Sequence, residues 1–189
     1  MDLCRAYHHT ADVDSRTLSK LMKKIILGMG LLLSLLAAAQ GTGDSWRPLQ
    51  FIMGEWSGGG SGKPGEGSGE FSLKPDLDNK ILVRRNHNEY PPKAGLAKSA
   101  VHDDLMIIYP AKGASPYRAE YFDSEGHVIR YTISFSEGKA VFLSDGPASD
   151  ARYRLTYQKK GDAGLQIDFA IAPPNQDFRT YLSGSVVRK

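Results

Sequence analysis

The sequence predicts an all-β protein: one closed, antiparallel, up-and-down β-barrel of about ten strands, with a short helical turn before the first strand. Three observations predict it. About ten short strand-like runs recur between turn signals at regular spacing. No long amphipathic helix interrupts them. Residues 49–62 open with an apolar cluster, Leu49, Phe51, Ile52 and Met53, and then set Gly54, Trp56, Gly58, Gly60 and Gly62 at every second position. A period of two is the repeat of a strand, whose alternate residues share a face. Glycines on the face of one large indole imply a close backbone approach, with Trp56 filling the space below.

The elements follow in order. Asp44 or Ser45 caps a brief helical turn over residues 46–52, with Pro48 near its start. Residues 54–62 are the first strand, and residues 63–69, four of them other than glycine and none apolar beyond Pro64, read as a mobile, turn-rich link. The next strand, 70–74, ends at Pro75-Asp76-Leu77-Asp78-Asn79, and the long run 80–90 ends at Pro91-Pro92. Residues 99–109 stop at Pro110 and Gly113; 116–122 pairs with 127–135 across Asp123-Ser124-Glu125-Gly126. Ser136-Glu137-Gly138 turns the chain into 139–143, and Asp145-Gly146-Pro147 turns it again. Runs 152–158 and 165–171 flank the turn at 160–164, and Pro173-Pro174-Asn175 leads into the last strand, 178–187.

Alternation is clear in two of these runs. Leu165, Ile167, Phe169 and Ile171 share one face, and Ile129, Tyr131, Ile133 and Phe135 share another, which marks half-buried strands. The run from Lys80 differs. After Ile81, Leu82 and Val83 it reads Arg84-Arg85-Asn86-His87-Asn88-Glu89, polar on both faces. In a closed barrel one of those faces looks inward, so a polar wall of the lumen is expected.

Ahead of the barrel, Lys20, Lys23 and Lys24 flank an uncharged run of 15 residues, 25–39, which ends in Ala37-Ala38-Ala39. A basic flank, an apolar stretch too short to span a bilayer and a small-x-small site predict a cleaved secretory signal peptide within residues 1–39. The domain is then 40–189, exported to the periplasm or beyond, without a stable membrane anchor. Asp2, Asp12 and Asp14 precede the lysines and do not suit a signal peptide, so Met22 is the expected true start. The single cysteine, Cys4, falls in the leader, which leaves the domain without disulfide or thiol chemistry. Residues 1–39 hold five basic and three acidic residues; 19 basic and 18 acidic remain, a net charge of +1 that gives no basis for nucleic-acid binding. A domain of about 150 residues buries roughly two thirds of its unfolded surface, enough for one core.

The turn followed by Gly54-x-Trp56 resembles the opening of lipocalin and fatty-acid-binding (calycin) barrels. The ladder Gly54-x-Trp56-x-Gly58-x-Gly60-x-Gly62 is also similar to the opening of nitrobindin-like haem barrels. Residues 71–189, with turns such as Tyr121-Phe122-Asp123-Ser124-Glu125-Gly126-His127, most resemble a bacterial family of exported calycin-like proteins of unassigned function. Nitrobindin-like barrels ligate haem iron through a histidine near the C-terminus. Here no histidine follows His127, so the resemblance does not carry haem, and no cofactor is expected.

Trp56 is read as a plug in the barrel floor, the alternative being a wall of the ligand cavity. Gly54 and Gly58 are read as structural with it. Arg84, Arg85, Tyr121, Arg130 and Tyr131 form one candidate set: arginines on barrel strands clamp an anionic head group by forked hydrogen bonds, as the resemblance to fatty-acid-binding barrels implies. The competing reading turns the arginines outward, paired with Glu89 or Glu120. His87 with Glu89, and His102 with Asp104, are i, i+2 pairs that would converge if their strands present the same face, and would then offer a metal its ligands. His127 is read as a turn-flanking surface residue near the barrel entrance. No Gly-x-Ser-x-Gly elbow is present, and no catalytic residue is assigned.

The expected function is therefore an exported barrel that binds a small, partly apolar ligand in its lumen, with a carboxylate head group as one option. Its expected contacts are Arg84, Arg85, His87, Glu89, His102, Tyr121, Arg130 and Tyr131. An enzyme with a His/carboxylate site, with or without a metal, is the alternative reading, and a non-binding envelope or interaction module is the third.

Overall fold

A computed structural model describes residues 45–63, 65–92, 99–113 and 115–189, and from Trp46 onward they belong to the compact unit Trp46–Lys189. The leader, Cys4, Met22 and the cleavage site lie outside the described residues. A 3₁₀ turn, Arg47–Leu49, precedes ten strands: β1 (Gly54–Gly62), β2 (Gly67–Asp76), β3 (Ile81–Tyr90), β4 (Ala100–Pro110), β5 (Tyr117–Asp123), β6 (Val128–Ser136), β7 (Lys139–Ser144), β8 (Arg152–Lys160), β9 (Gly164–Ala172) and β10 (Arg179–Arg188). Each strand pairs antiparallel with the next, and β10 returns to β1 with Trp56 opposite Arg188 and Gly60 opposite Gly184, which closes the barrel. Closure leaves no free edge to template aggregation.

The 3₁₀ turn seals one end. Leu49 and Ile52 are fully buried, and each such side chain contributes about 1.5–3 kcal/mol by leaving water. Trp56 is also fully buried; its indole N–H donates to the Ile52 carbonyl at 2.7 Å, and Arg188 lies 4.4 Å over its ring while donating to the Met53 carbonyl at 2.6 Å. Trp46 closes the same end from the side, donating to the Asn79 carbonyl at 3.0 Å and packing 5.3 Å from Tyr117. That bond braces the β2–β3 turn, where Leu77, Asp78 and Asn79 all take the left-handed backbone. Above this floor, Leu73, Leu82, Met106, Ile108, Tyr131, Phe142 and their neighbours fill the lumen.

β2 begins earlier than the sequence suggests. Gly67 and Gly69 belong to the strand and not to a link, with Gly69 opposite Gly58. The reason lies on β3: a Cβ on Gly69 would overlap the Asn88 side chain and come within 2.7 Å of the His87 carbonyl. On the other flank, a Cβ on Gly58 would overlap the Ser185 carbonyl and approach Val186 Cα to 2.8 Å. Glycine composition here marks tight backbone approach across four neighbouring strands, β3, β2, β1 and β10, not a turn.

Candidate functional site

Strand parity decides which polar side chains enter the barrel. On β3, Leu82 is buried and inward, so Arg84, Asn86, Asn88 and Tyr90 follow it in, while Arg85, His87 and Glu89 are exposed on the outer face. On β4, Met106 and Ile108 are buried, which carries Asp104 and His102 inward and Asp103 outward. The register sets Asn86 opposite Asp104 and His87 opposite Asp103.

The expected convergence of His87, Glu89, His102 and Asp104 therefore does not form, because the two pairs lie on opposite sides of the sheet. His87 instead meets Asp103 at 2.7 Å and Glu89 at 3.3 Å on the outside, and these acidic partners raise its affinity for a proton. The expected cluster of arginines is also divided. Arg84 enters the lumen with Tyr121 and Tyr131, whereas Arg130 pairs with Glu120 on the outer face at 3.4 Å and Arg85 is exposed there.

The inner wall of β3, β4 and β5 is a continuous polar network. Arg84 is buried and ion-paired with buried Asp104, whose second carboxylate oxygen accepts from Asn86 at 2.9 Å. Burial works against the Arg84 charge, but Asp104 together with the phenols of Tyr157, Tyr121 and Tyr131 outweighs it and keeps the guanidinium protonated. Burial pushes the Asp104 carboxyl up, with Arg84, His102 and Asn86 pulling the other way. The Arg84 guanidinium also sits 5.1 Å from the centre of the Phe71 ring. Its Nε, and the buried hydroxyl of Tyr157, have no hydrogen-bond partner among the described residues. Burial pushes that Tyr157 phenol up to about 12, so it stays a neutral donor at physiological pH.

Toward the barrel mouth, His102 Nε2 lies 3.0 Å from the Tyr121 hydroxyl, which in turn donates to Asp123 at 3.3 Å. Burial pushes the Tyr121 phenol well above its ordinary range. Asp123 closes the β5–β6 turn by accepting from the Glu125 and His127 backbone N–H groups at 3.0 and 2.9 Å, and it meets the His127 ring at 2.9 Å. Burial opposes its charge, yet these donors hold its carboxyl below the usual value.

Facing this polar wall, β9 and β10 present Ile167, Leu182 and Val186, and above them Phe169 stacks on Tyr153 at 6.1 Å and meets Tyr181 edge-on at 6.2 Å. Between the walls, where Gly58, Gly60, Gly69 and Gly184 contribute no side chains, lies a cavity of about 80 Å³ floored by Phe71 and Arg84 and reaching Tyr90. That is about half of the ~150 Å³ in which a buried apolar cavity holds benzene. It takes one end of a small molecule, not a whole lipid.

Several of these residues are not singled out by sequence reasoning. Asn86, Asn88, Asp123 and Glu125 join the site only through register and turn geometry. The available signal was to count parity backward from an apolar inward residue, but Ile81-Leu82-Val83 and Leu105-Met106-Ile107-Ile108 are apolar at every position and hide which face is inner.

No protein-family model matches the chain, and no curated protein sequence does. Solved structures do. The crystal structure of Rv2717c from M. tuberculosis aligns over 77% of this chain and 97% of its own, with 13% identity and a TM-score of 0.53. EF1p2_mFAP2b bound to DFHBI covers 76% and 98% at 10% identity and a TM-score of 0.35. A protein of unknown function from the DUF3598 family of Nostoc punctiforme PCC 73102 covers 77% and 99% at 8% identity and a TM-score of 0.28. At these identities the first likeness shows the fold alone: the ten strands of this chain fit a calycin-like closed barrel.

Proposed function

We propose that the chain is an exported barrel that binds a small, partly apolar molecule at the mouth half of its lumen. The observation that carries this reading is the cavity between the polar β3–β5 wall and the apolar β9–β10 wall, with a buried Arg84 Nε–H at its base that has no partner among the described residues. A buried donor without a partner costs about 1–3 kcal/mol, and a ligand acceptor placed there recovers it. The ligand's polar end is a neutral acceptor such as a carbonyl, because Asp104 already neutralises Arg84 and no second arginine of the expected set faces inward. Its apolar part lies along Ile167, Leu182 and the half-exposed rings of Tyr153, Phe169 and Tyr181. Small ligand sites commonly combine an apolar lining with a few placed polar groups in this way. Export is supported by the basic flank and the apolar run ending at Ala39.

Displacement of a lipophilic dye such as 1-anilinonaphthalene, with native mass spectrometry for stoichiometry, tests the reading. One dye per chain is expected for the native protein. Ile167→Trp, which fills the cavity from its apolar side, is expected to abolish binding while circular dichroism remains native. Equal dye binding by the folded Ile167→Trp variant, or none by the native protein, would sink it.

A further inference from the structure

We infer that the β5–β6 turn and β4 together form a divalent-cation site of the zinc class, with His102, Asp123 and Glu125 as ligands. One atom from each of these residues lies within 4.8 Å of the others. His102 reaches them from the inner face of β4, Asp123 ends β5, and Glu125 occupies the turn, so the three converge only where β4 and β5 pair. This inference is independent of the lumen-ligand reading and uses different residues from the cavity.

Two features of the geometry point to a cation. His102 Nδ1 stands 3.3 Å from Glu125 Oε1. Ligand atoms bound at 2.0–2.1 Å to a tetrahedral zinc are separated by about 3.3 Å. The second feature is the setting of the ring. His102 Nε2 lies 3.0 Å from the Tyr121 hydroxyl, so Nδ1 is the ring nitrogen turned toward the carboxylates. Ligating histidines characteristically donate their other N–H to a partner that fixes the tautomer, and Tyr121 has that place here, with Asp104 beyond it at 3.7 Å.

His127 supports the arrangement from outside. Its ring meets Asp123 Oδ2 at 2.9 Å and lies 3.8 Å from Glu125 Oε2, which orients both carboxylates. Three protein ligands leave a fourth position for water or for an acceptor on a bound molecule. One imidazole with two carboxylates suits zinc, manganese or iron(II) better than calcium, which takes oxygen ligands alone.

The test is titration of the folded, full domain with ZnCl₂ by calorimetry, with Co²⁺ absorption as a report on geometry. One ion per chain is expected, with tetrahedral or five-coordinate Co²⁺ bands. Glu125→Gln, at a side chain 60% exposed and therefore safe for the fold, is expected to weaken binding at least tenfold. His102→Gln is expected to do the same. His87→Gln, in the separate outer-face cluster with Asp103 and Glu89, is expected to leave it unchanged. No binding by the native domain, unchanged binding in folded Glu125→Gln, or loss in His87→Gln would each overturn the inference.

Discussion

At the scale of single residues, the charged side chains inside the barrel are held by partners rather than by water. Arg84 and Asp104 illustrate the balance. Removing one of them strands the other in a dry site, and breaking such a buried pair typically costs about 3–5 kcal/mol, whereas replacing both by apolar groups of similar shape is often nearly neutral. Asp123 is a different case, a carboxylate with a 4% exposed side chain whose partners are two backbone N–H groups of its own turn, the Tyr121 hydroxyl and the His127 ring. Its folded carboxyl is lowered below the ordinary 3.8. A group lowered on folding contributes stability that is present in full above the unfolded value and lost as pH falls through the folded one. Asp123→Asn should therefore be less stable than the native protein by a constant margin between pH 5 and 7, and the margin should shrink below about pH 4. Urea melts of both proteins across that range measure it; a margin that grows on acidification would contradict the role given to Asp123.

At the scale of elements, the glycine ladder explains how one side of the barrel closes tightly and yet leaves a cavity. β1 and β10 approach so closely at Gly58 that a methyl group there meets backbone atoms, which cannot swing aside as a flexible side chain can. The same absence of side chains on Gly58, Gly60 and Gly184 leaves the space that the proposed ligand enters. Gly58→Ala should destabilise the domain by about 1–3 kcal/mol, as overpacking does, without any change in the buried Trp56 below it. Chemical denaturation followed by Trp fluorescence checks both parts, and an unchanged midpoint would mean that the strands stand farther apart than described. The polar strand β3 was readable as a lumen wall from its composition. Its inward members were not, since three successive apolar residues at its start give no parity, and only pairing with β4 selects Arg84, Asn86 and Asn88 over Arg85, His87 and Glu89.

At the scale of the whole molecule, the chain is a meander in which nine of the strand pairs join neighbours in sequence and one pair, β1 with β10, joins the two ends. The bond from Arg188 to the Met53 carbonyl spans 135 residues. Closing so long a loop is entropically costly, and contacts of that separation tend to form late. Val186→Ala, at the seam opposite Gly58, should mainly speed unfolding, with a φ-value near zero. Phe142→Leu, inside the β6–β7 hairpin, should slow folding instead. Stopped-flow chevrons of the two variants distinguish the cases, and a high φ-value at Val186 would place barrel closure early.

Local signals in the chain are enough to show a β-protein, to place its strand ends to within a residue or two for most of the chain, and to mark one wall of the lumen as polar. Turn residues, glycines at alternate positions and short apolar runs are local signals, and they act over a few residues. Tertiary structure alone decided which polar residues share the interior. That choice rests on strand parity and on register between strands, and a slip of one residue would exchange every inner side chain for an outer one. It also brought His102 on β4 to Asp123 and Glu125 at the next turn, a meeting that exists only because β4 and β5 pair with Asp104 opposite Asp123.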